Sequence, residues 1–247
     1  MYALHRASSG YNMKQCAVES RSNGSRLVIL GGVILNLSRS PITPVLVRGD
    51  VTRDLMASLG SRGRVAWDVE TSGLDWRVEK LATCQLFAEG AAPVVVQLTE
   101  CRPANLCALL ADHTVTKVFH HAPFDLRFMV HAWGVPPRSV LCTKVASKLL
   151  LPAVANSGHS LQALLAGYLG IQLPKGAVRT SDWSAAVLTA DQIAYAVNDV
   201  IHLPHLLDTL QDRLRNAGLE DLYQQCCSFL PTLVDLELGG FPDVFAY

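Results

Sequence analysis

Short apolar runs separated by turn residues dominate the chain between residues 44 and 121. Brief apolar runs bounded by glycine, proline or polar turn residues are typical of strands. The predicted strands are PVLVRGD, RVAWDVE, LATCQLFAE, APVVVQL and TKVFHH. Glycine-containing turns separate the middle three, and this arrangement predicts a meander of three consecutive strands.

Helical spacing of apolar residues appears before, between and after these strands. Asp50 is placed to cap a helix that ends at Gly60, and residues 103–112 carry a second helical pattern. The segment PFDLRFMVHAWG predicts a third helix, closed by Gly134.

The rest of the chain is predicted to be mostly helical. Its segments are LCTKVASKLLL, SLQALLAGYLG, TADQIAYAVNDVIHLPHLLDTLQDRLRNAG and EDLYQQCCSFL. Pro204 is expected to kink or restart the longest one, because proline lacks a backbone donor and clashes with the preceding turn. Together the elements predict an α/β fold in which helices flank a mixed sheet.

The first 43 residues differ in composition from the rest. The polar stretch SSGYNMKQCAVESRSNGS precedes the apolar run RLVILGGVILNLSRSP, which is too short to span a bilayer as a helix. We expect residues 1–43 to be a peripheral or poorly ordered extension and residues 44–247 to form the functional domain. No membrane association is expected.

Overall charge and cysteine content narrow the functional classes. The chain has 21 basic and 21 acidic residues, so its net charge of zero excludes a surface that is electropositive throughout and grips a long duplex. Its seven cysteines form no paired C-x-x-C spacing, and an odd number does not fit a disulfide framework. A reducing, cytoplasmic location is expected.

Two acids interrupt the apolar run VAWDVETSGL. Since successive side chains of a strand point to opposite faces, Asp68 and Glu70 lie on one face and Trp67 and Val69 on the other. Two carboxylates side by side repel each other unless a proton or a cation offsets their charge. The pair therefore indicates either a functional site or a strand end at which both acids face water.

Further candidate residues lie in the two helical regions. Asp125 follows a predicted strand and falls at the start of a helix, where the helix dipole favours an ionised carboxylate. Tyr195 and Asp199 are four residues apart in YAVND and therefore share a helix face. Each feature taken alone also fits an ordinary helix cap or a solvated helix, and Asp182 in SDWS is expected to be a turn residue.

The combination of these motifs resembles the DEDDy 3′–5′ exonucleases, which share a ribonuclease H-like fold. The family pattern is a D-x-E strand before TSGL, an aspartate at the start of a mid-chain helix, and Y-x-x-x-D on a late helix. Within that superfamily the chain is similar to a short ribonuclease D without added helical nucleic-acid-binding domains. The likeness covers residues 44–247, through the segments VAWDVETSGL, KVFHHAPFDLRFM, CTKVASKLL, SLQALLAGYLGIQLPK, SDWSAAVLTADQIAYAVNDVIHLPHL and CCSFLPTLVDLELGGFPDVFAY.

The resemblance implies a catalytic centre that holds two divalent cations, Mg²⁺ or Mn²⁺. The implied metal ligands are Asp68, Glu70, Asp125 and Asp199, and Tyr195 would orient the attacking water. Hard carboxylate oxygens suit these ions, whereas zinc favours nitrogen or sulfur ligands.

The resemblance also implies a nucleic-acid substrate bound by its 3′ end. The implied contacts to the terminal nucleotide and to upstream phosphates are Thr71, Gly73, Leu74, His121, Phe124, Lys175 and Arg179. Single-stranded RNA is the expected substrate, with nucleoside 5′-monophosphates as the expected products, and DNA is the alternative. The protein is expected to be a monomer or a weak oligomer.

Two departures from the family pattern concern positions that are not metal ligands. Many relatives have asparagine in place of His121 and aspartate in place of Cys142. The loop KGAVRTSDW also lacks an expected glutamine, which affects the grip on substrate more than the chemistry.

Two other classes of protein stay open. A zinc hydrolase would use histidines, but those of this region lack H-x-x-x-H spacing on one helix: His113, His120, His121 and His131. A catalytically inactive nucleic-acid-binding module is the other alternative, against which the complete set of acids argues.

Overall fold

The computed structural model describes residues 18–22, 25–30, 33–37, 43–173, 177–241 and 243–245. The chain divides into two units, Met1–Ile42 and Thr43–Tyr247. The first unit contains an antiparallel sheet in the order β1-β2-β3, formed by β1 (Val18–Ser22), β2 (Ser25–Leu30) and β3 (Val33–Leu37). The assignment of residues 1–43 as a peripheral extension stays a prediction.

The second unit is built on a six-stranded mixed sheet with the strand order β4-β7-β6-β5-β8-β9. The strands are β4 (Val45–Arg48), β5 (Arg64–Thr71), β6 (Leu81–Phe87), β7 (Val94–Gln97), β8 (Thr116–Phe119) and β9 (Val140–Cys142). The antiparallel β5-β6-β7 meander confirms the prediction. The β4, β8 and β9 strands pair in parallel with their neighbours, so β5 is bordered by one antiparallel and one parallel strand.

Helices flank this sheet, as predicted. They are α1 (Arg53–Gly60), α2 (Ala104–Ala111), α3 (Ala122–Trp133), α4 (Thr143–Leu150), α5 (Leu161–Leu164), α6 (Ala190–Ile201), α7 (Leu203–Asn216) and α8 (Glu220–Leu238). Pro204 lies in the first turn of α7, which confirms that the long helical segment restarts there. Within the described residues, no helix is both long and apolar enough to cross a membrane.

Two elements differ from the sequence-based expectation. The segment predicted to be helical from Leu141 begins with β9, whose three residues pair with β8 but are too few to show an alternating pattern. The last helix continues through Pro231 to Leu238, because its buried face, including Leu230 and Val234, packs into the core on both sides of the proline.

Asp50 stabilises a different helix from the expected one. Thr52 caps α1 by accepting a hydrogen bond from the Leu55 amide. The Asp50 carboxylate instead accepts from the backbone amides of Asn105 (2.7 Å) and Leu106 (3.1 Å), at the start of α2. The side chain thus joins two segments that are far apart in the sequence, which local patterns cannot reveal.

The centre of the core is formed by aromatic rings on one face of β5. Trp67 is fully buried and lies 6.3 Å, between ring centroids, from both Phe119 on β8 and Trp133 on α3. Val65 and Val69 extend this face. The packing fixes the rotation of β5 about its axis and thereby directs the alternate side chains, which are the acids, to the opposite face.

Replacement of Asp50 tests the hydrogen bonds that its carboxylate accepts at the start of α2. Asp50→Ala leaves two amides at the start of α2 without their acceptor, so the free energy of unfolding is expected to fall by about 1–2 kcal/mol. Urea denaturation measures this change. The exposed Asp54, in the first turn of α1, supplies the control, since Asp54→Ala should change stability by about 0.5 kcal/mol or less. Equal effects of the two variants would contradict the assignment.

Candidate active site

The two acids of the sequence motif lie at the carboxyl end of the central strand. Asp68 and Glu70 are on one face of β5, and their antiparallel partners on β6 are Gln85 and Thr83. A register shift separates the Glu70–Thr83 pair from the Thr71–Leu81 pair at the end of β5. The strand end therefore presents both carboxylates beside the loop that follows.

Asp125 approaches β5 from helix α3. The side chain is 2% exposed, and its Oδ1 accepts a hydrogen bond from the Val69 amide at 3.2 Å. Since Val69 lies between Asp68 and Glu70, this bond attaches the third acid directly to the backbone that carries the first two. The short loop between β8 and α3 makes this approach possible.

Helix α6 brings the fourth acid. Asp68, Glu70 and Asp199 each offer one carboxylate oxygen, and these three oxygens lie within 4.8 Å of one another. Tyr195, one turn earlier on α6, lies on the same helix face as Asp199, and each alters the pKa of the other. The fold therefore brings Asp68, Glu70 and Asp199 together from two distant parts of the sequence.

Electrostatics in this cluster favour proton retention when no cation is bound. Burial raises the pKa of Asp68 well above its usual range, and the neighbouring negative charges, that of Asp125 first, raise it further. Burial likewise raises the pKa of Asp125, and it raises that of Asp199 to about 7 although the Tyr195 hydroxyl opposes the shift. The donor set fits a hard divalent cation, because such an ion would replace the protons and satisfy clustered oxygen ligands.

Two polar residues of β6 complete the acidic face and were missed in the sequence. Thr83 and Gln85 are both fully buried, and Gln85 Nε2 donates to Asp68 Oδ2 at 3.4 Å. A usable signal was present: in LATCQLFAE the polar residues alternate with apolar ones, as the two acids do in β5. The pattern indicates which residues share the polar face of β6, but it does not indicate which residues of β5 they pair with.

The loop after β5 carries three of the expected substrate contacts. The Thr71 hydroxyl donates to the Gly73 carbonyl oxygen at 2.5 Å, and Leu74 is 84% exposed. A Cβ on Gly73 would lie 2.6 Å from the Glu79 carboxyl carbon, so the missing side chain makes room for Glu79 within the loop. Contact of these residues with a substrate stays a prediction.

The remaining expected substrate contacts lie in two places. At the start of α3, Phe124 packs against Phe128 with ring centroids 5.2 Å apart, and His121 is the residue before the helix. Lys175 lies outside the described residues. Arg179 belongs to the short 3₁₀ helix Ala177–Thr180, of which the backbone is described but the Arg179 side chain is not.

His121 adopts the left-handed backbone conformation, with φ of 72°. Residues other than glycine take this conformation infrequently because their Cβ crowds the backbone, and asparagine, aspartate and histidine do so more often than the rest. The asparagine that the family resemblance implies here is therefore explained by backbone geometry. Partial burial and the neighbouring Lys144 ammonium lower the pKa of His121 to about 4, so its ring is neutral at physiological pH.

A segment preceding α6, residues 181–185, supports Tyr195. The side-chain amide nitrogen of Gln192, Nε2, donates to Ser181 Oγ and to the Asp182 carbonyl oxygen, both at 3.0 Å. Trp183 is buried against the Tyr195 ring, at 6.0 Å between centroids. Asp182 itself accepts from the Ser184 amide, as expected of a turn residue.

The histidines that a zinc site would need are engaged elsewhere. His120 shares a hydrogen bond with Thr143 at 2.9 Å, and His131 packs edge-on against Trp76. In the part of the chain that the structure describes, the acidic cluster is the one group of three or more potential metal ligands. This geometry does not support the zinc hydrolase alternative.

Comparison with known proteins identifies the family. A family model described as 3′-5′ exonuclease matches residues 49–215, more than half of the chain. The chain belongs to the 3′–5′ exonuclease family. Its ribonuclease H-like fold confirms the predicted architecture, and several of its curated relatives are ribonucleases D. Members of this family use divalent metals.

Relatives of this exonuclease-family chain include both ribonucleases and a polymerase. It is 33% identical to NrnC from Brucella melitensis, with a TM-score of 0.76 and coverage of 83% of this chain and 99% of NrnC, in structures with bound Mg²⁺ and with bound pGG. It is 31% identical over 184 residues to ribonuclease D of Granulibacter bethesdensis, covering 73% of this chain and 45% of the relative. It is 32% identical over 143 residues to DNA polymerase I of Aquifex aeolicus, covering 51% of this chain and 24% of the relative. The chain thus spans less than half the length of the last two.

Substitution of His121 tests the backbone strain before α3. His121→Val places a β-branched side chain in the left-handed conformation and is expected to lower the free energy of unfolding by about 1–2 kcal/mol. His121→Asn, which tolerates this conformation, should leave stability unchanged or slightly higher. Thermal denaturation of the three proteins makes the comparison. Equal losses in the two variants would show that the ring contacts, and not the backbone, determine the effect.

The raised pKa of Asp199 predicts how the stability of the metal-free protein depends on pH. Because folding raises this pKa from 3.8 to about 7, the folded state holds a proton that the unfolded state has released at intermediate pH. The free energy of unfolding in chelator should therefore fall as pH rises from 4 to 7, by an amount on the order of 2 kcal/mol. Asp199→Asn should reduce this dependence in urea denaturation, and the raised pKa values of Asp68 and Asp125 should maintain the rest. An unchanged slope in the variant would contradict the prediction.

Proposed function

We propose that the chain hydrolyses single-stranded RNA from its 3′ end and releases nucleoside 5′-monophosphates. The observation that carries this proposal is the convergence of Asp68, Glu70 and Asp199, with Asp125 attached to the same strand. Family membership gives the reaction class, and the cluster supplies the residues for it. The catalytic roles below belong to this proposal.

The four carboxylates are proposed to hold two divalent cations, Mg²⁺ or Mn²⁺. A pair of such ions supplies positive charge next to both the attacking and the leaving oxygen of a phosphodiester. The protein's part is to hold oxygen ligands together despite their repulsion. Asp125 contributes through its bond to the Val69 amide, and Asp199 through the packing of α6 on the sheet.

Tyr195 is proposed to orient the attacking water. Burial, followed by the charge of Asp199, raises the pKa of Tyr195 above its ordinary value. The phenol therefore stays protonated at neutral pH and is a poor base, but it can donate and accept hydrogen bonds. Trp183 packs against the Tyr195 ring and restricts its movement.

The loop after β5 supports hydrolysis at the end of a nucleic-acid chain. Leu74, four residues after Glu70, projects into solvent, and an exposed apolar side chain can pack against a terminal base of any identity. Phe124 at the start of α3 is proposed to line the same pocket, with Thr71, Gly73 and His121. Recognition of this kind requires a free end and not a particular sequence.

The relatives favour RNA as the substrate. NrnC, which this chain matches over nearly the whole NrnC length, has been solved with pGG bound, and several relatives are ribonucleases D. Lys175 and Arg179 are proposed to contact phosphates upstream of the cleaved bond. A net charge of zero predicts modest, salt-sensitive affinity for long RNA and low processivity. DNA stays as a second candidate because of the match to DNA polymerase I.

The deciding experiment compares substrates and metals in one assay. The purified chain is incubated with pGG, with a longer 5′-labelled RNA and with DNA of the same sequence, each with Mg²⁺, Mn²⁺ or chelator. We expect RNA to shorten stepwise from its 3′ end, release of nucleoside 5′-monophosphates, and no reaction in chelator. Faster degradation of DNA would establish the second candidate. Binding of RNA without cleavage under every metal condition would identify an inactive binding module.

Two variants test the proposed roles in the same assay. Asp125→Asn is expected to lower kcat by about 10²-fold or more and to weaken metal binding, because it removes an anionic ligand. Tyr195→Phe is expected to lower kcat by about 10²-fold while metal affinity stays near that of the wild type. The fold of each variant is checked by circular dichroism. Full activity in either variant would contradict the role assigned to that residue.

A further inference from the structure

We propose that Gln85 positions Asp68 for metal binding and that Thr83 fixes the direction in which the Gln85 amide points. This inference rests on the proposed function, since it concerns the same acidic cluster. It adds two neutral residues of β6 that neither touch the substrate nor ligate a metal. Their role is to hold a ligand, which makes them positioning residues.

The register of the central strands places these residues opposite the acids. In the antiparallel pairing of β5 with β6, Asp68 faces Gln85 and Glu70 faces Thr83, so all four side chains share one face of the sheet. Both β6 side chains are 0% exposed. Polar groups this deeply buried are costly unless they are hydrogen-bonded, so their partners indicate why they are present.

The hydrogen bonds run in one direction along this face. The Thr83 hydroxyl donates to Gln85 Oε1 at 3.3 Å, and Gln85 Nε2 donates to Asp68 Oδ2 at 3.4 Å. A glutamine amide has an acceptor end and a donor end of nearly equal size. With the Thr83 proton on the acceptor end and Asp68 on the donor end, both ends of the amide have a partner in one orientation. Without the Thr83 hydroxyl, Oε1 loses this partner and the amide is held by Asp68 alone, so its orientation is less well fixed.

A neutral donor suits this place better than a charged one. The amide N–H holds one oxygen of Asp68 and leaves the other for a cation, which keeps the carboxylate in one orientation. A lysine or arginine in the same position would neutralise the ligand and repel the metal. The amide orients Asp68 without reducing the negative charge that attracts the ion.

Mn²⁺ affinity, measured by isothermal titration calorimetry without substrate, tests the inference independently of turnover. Gln85→Met keeps the size of the side chain and removes the donor, and we expect the Kd for Mn²⁺ to rise by about 10- to 100-fold. The rate of RNA hydrolysis should fall at low Mn²⁺ and recover largely at saturating Mn²⁺. An unchanged Kd in Gln85→Met overturns the inference.

Two substitutions of Thr83 test the orientation of the amide. Thr83→Val preserves shape and removes the hydroxyl, so the Kd for Mn²⁺ should rise several-fold, whereas Thr83→Ser keeps the hydroxyl and should restore an affinity near that of the wild type. A Thr83→Val protein with wild-type affinity overturns the role of Thr83. If Gln85→Met does not fold, the contrast between the Thr83 variants decides the question.

Leu86→Val is the matched control for general loosening of the strand. Leu86 is buried, neighbours Gln85 in β6 and faces the opposite side of the sheet. Its variant should lose thermal stability with no change in the Kd for Mn²⁺, and a loss of affinity equal to that of Gln85→Met overturns the inference. A wild-type chain that binds no Mn²⁺ overturns the proposed function as well. A wild type that binds and cleaves, with an unaffected Gln85→Met, overturns only the role of Gln85.

Discussion

Repulsion among carboxylates removed from water is the constraint on which this structure depends. Ionised carboxylates whose oxygens lie within 4.8 Å of one another, away from solvent, destabilise a fold unless a proton or a cation offsets their repulsion. Here three devices hold the acids in place: the aromatic core on the reverse face of β5, the Asp125 bond to the Val69 amide, and the packing of α6 across the sheet. The fold thus opposes the repulsion that a divalent cation would relieve.

Two polar side chains next to the cluster, Gln85 and Tyr195, are neutral. Gln85 and Tyr195 both reach carboxylates, and neither brings a positive charge. Of the nearby cations, Lys144 lowers the pKa of His121 and Arg127 lowers that of Asp125. The charge of the clustered carboxylates is thus left mainly to bound protons or to a cation from outside to compensate.

Much of the fold and of the acidic set was predictable because both leave periodic traces in the sequence. The spacing of Asp68 and Glu70 matches the two-residue period of a strand, and that of Tyr195 and Asp199 matches a helical turn. What escaped prediction depends on contacts between distant segments. Asp50 was assigned to the nearest helix, although its partners are Asn105 and Leu106. The short β9 had too few residues to show a period.

Gln85 is a second example of a contact between distant segments that the sequence pattern does not reveal. Its strand and its polar face were readable in LATCQLFAE, but the residue opposite it was not, because register is set by the pairing of β5 with β6. Trp183 was hidden for a similar reason, since its contact with Tyr195 depends on how residues 181–185 turn back towards α6. Sequence patterns therefore located the clustered acids better than the residues that contact them.

The alternation along β5 has a consequence for folding fidelity. A slip of this strand by one residue would turn Asp68 and Glu70 into the hydrophobic interior and put Trp67 on the polar side. The same misalignment would thus cost both the aromatic packing and the solvation of two charges. Correct registry is enforced from both faces at once, so a chain that has reached its stable state has also assembled its carboxylates.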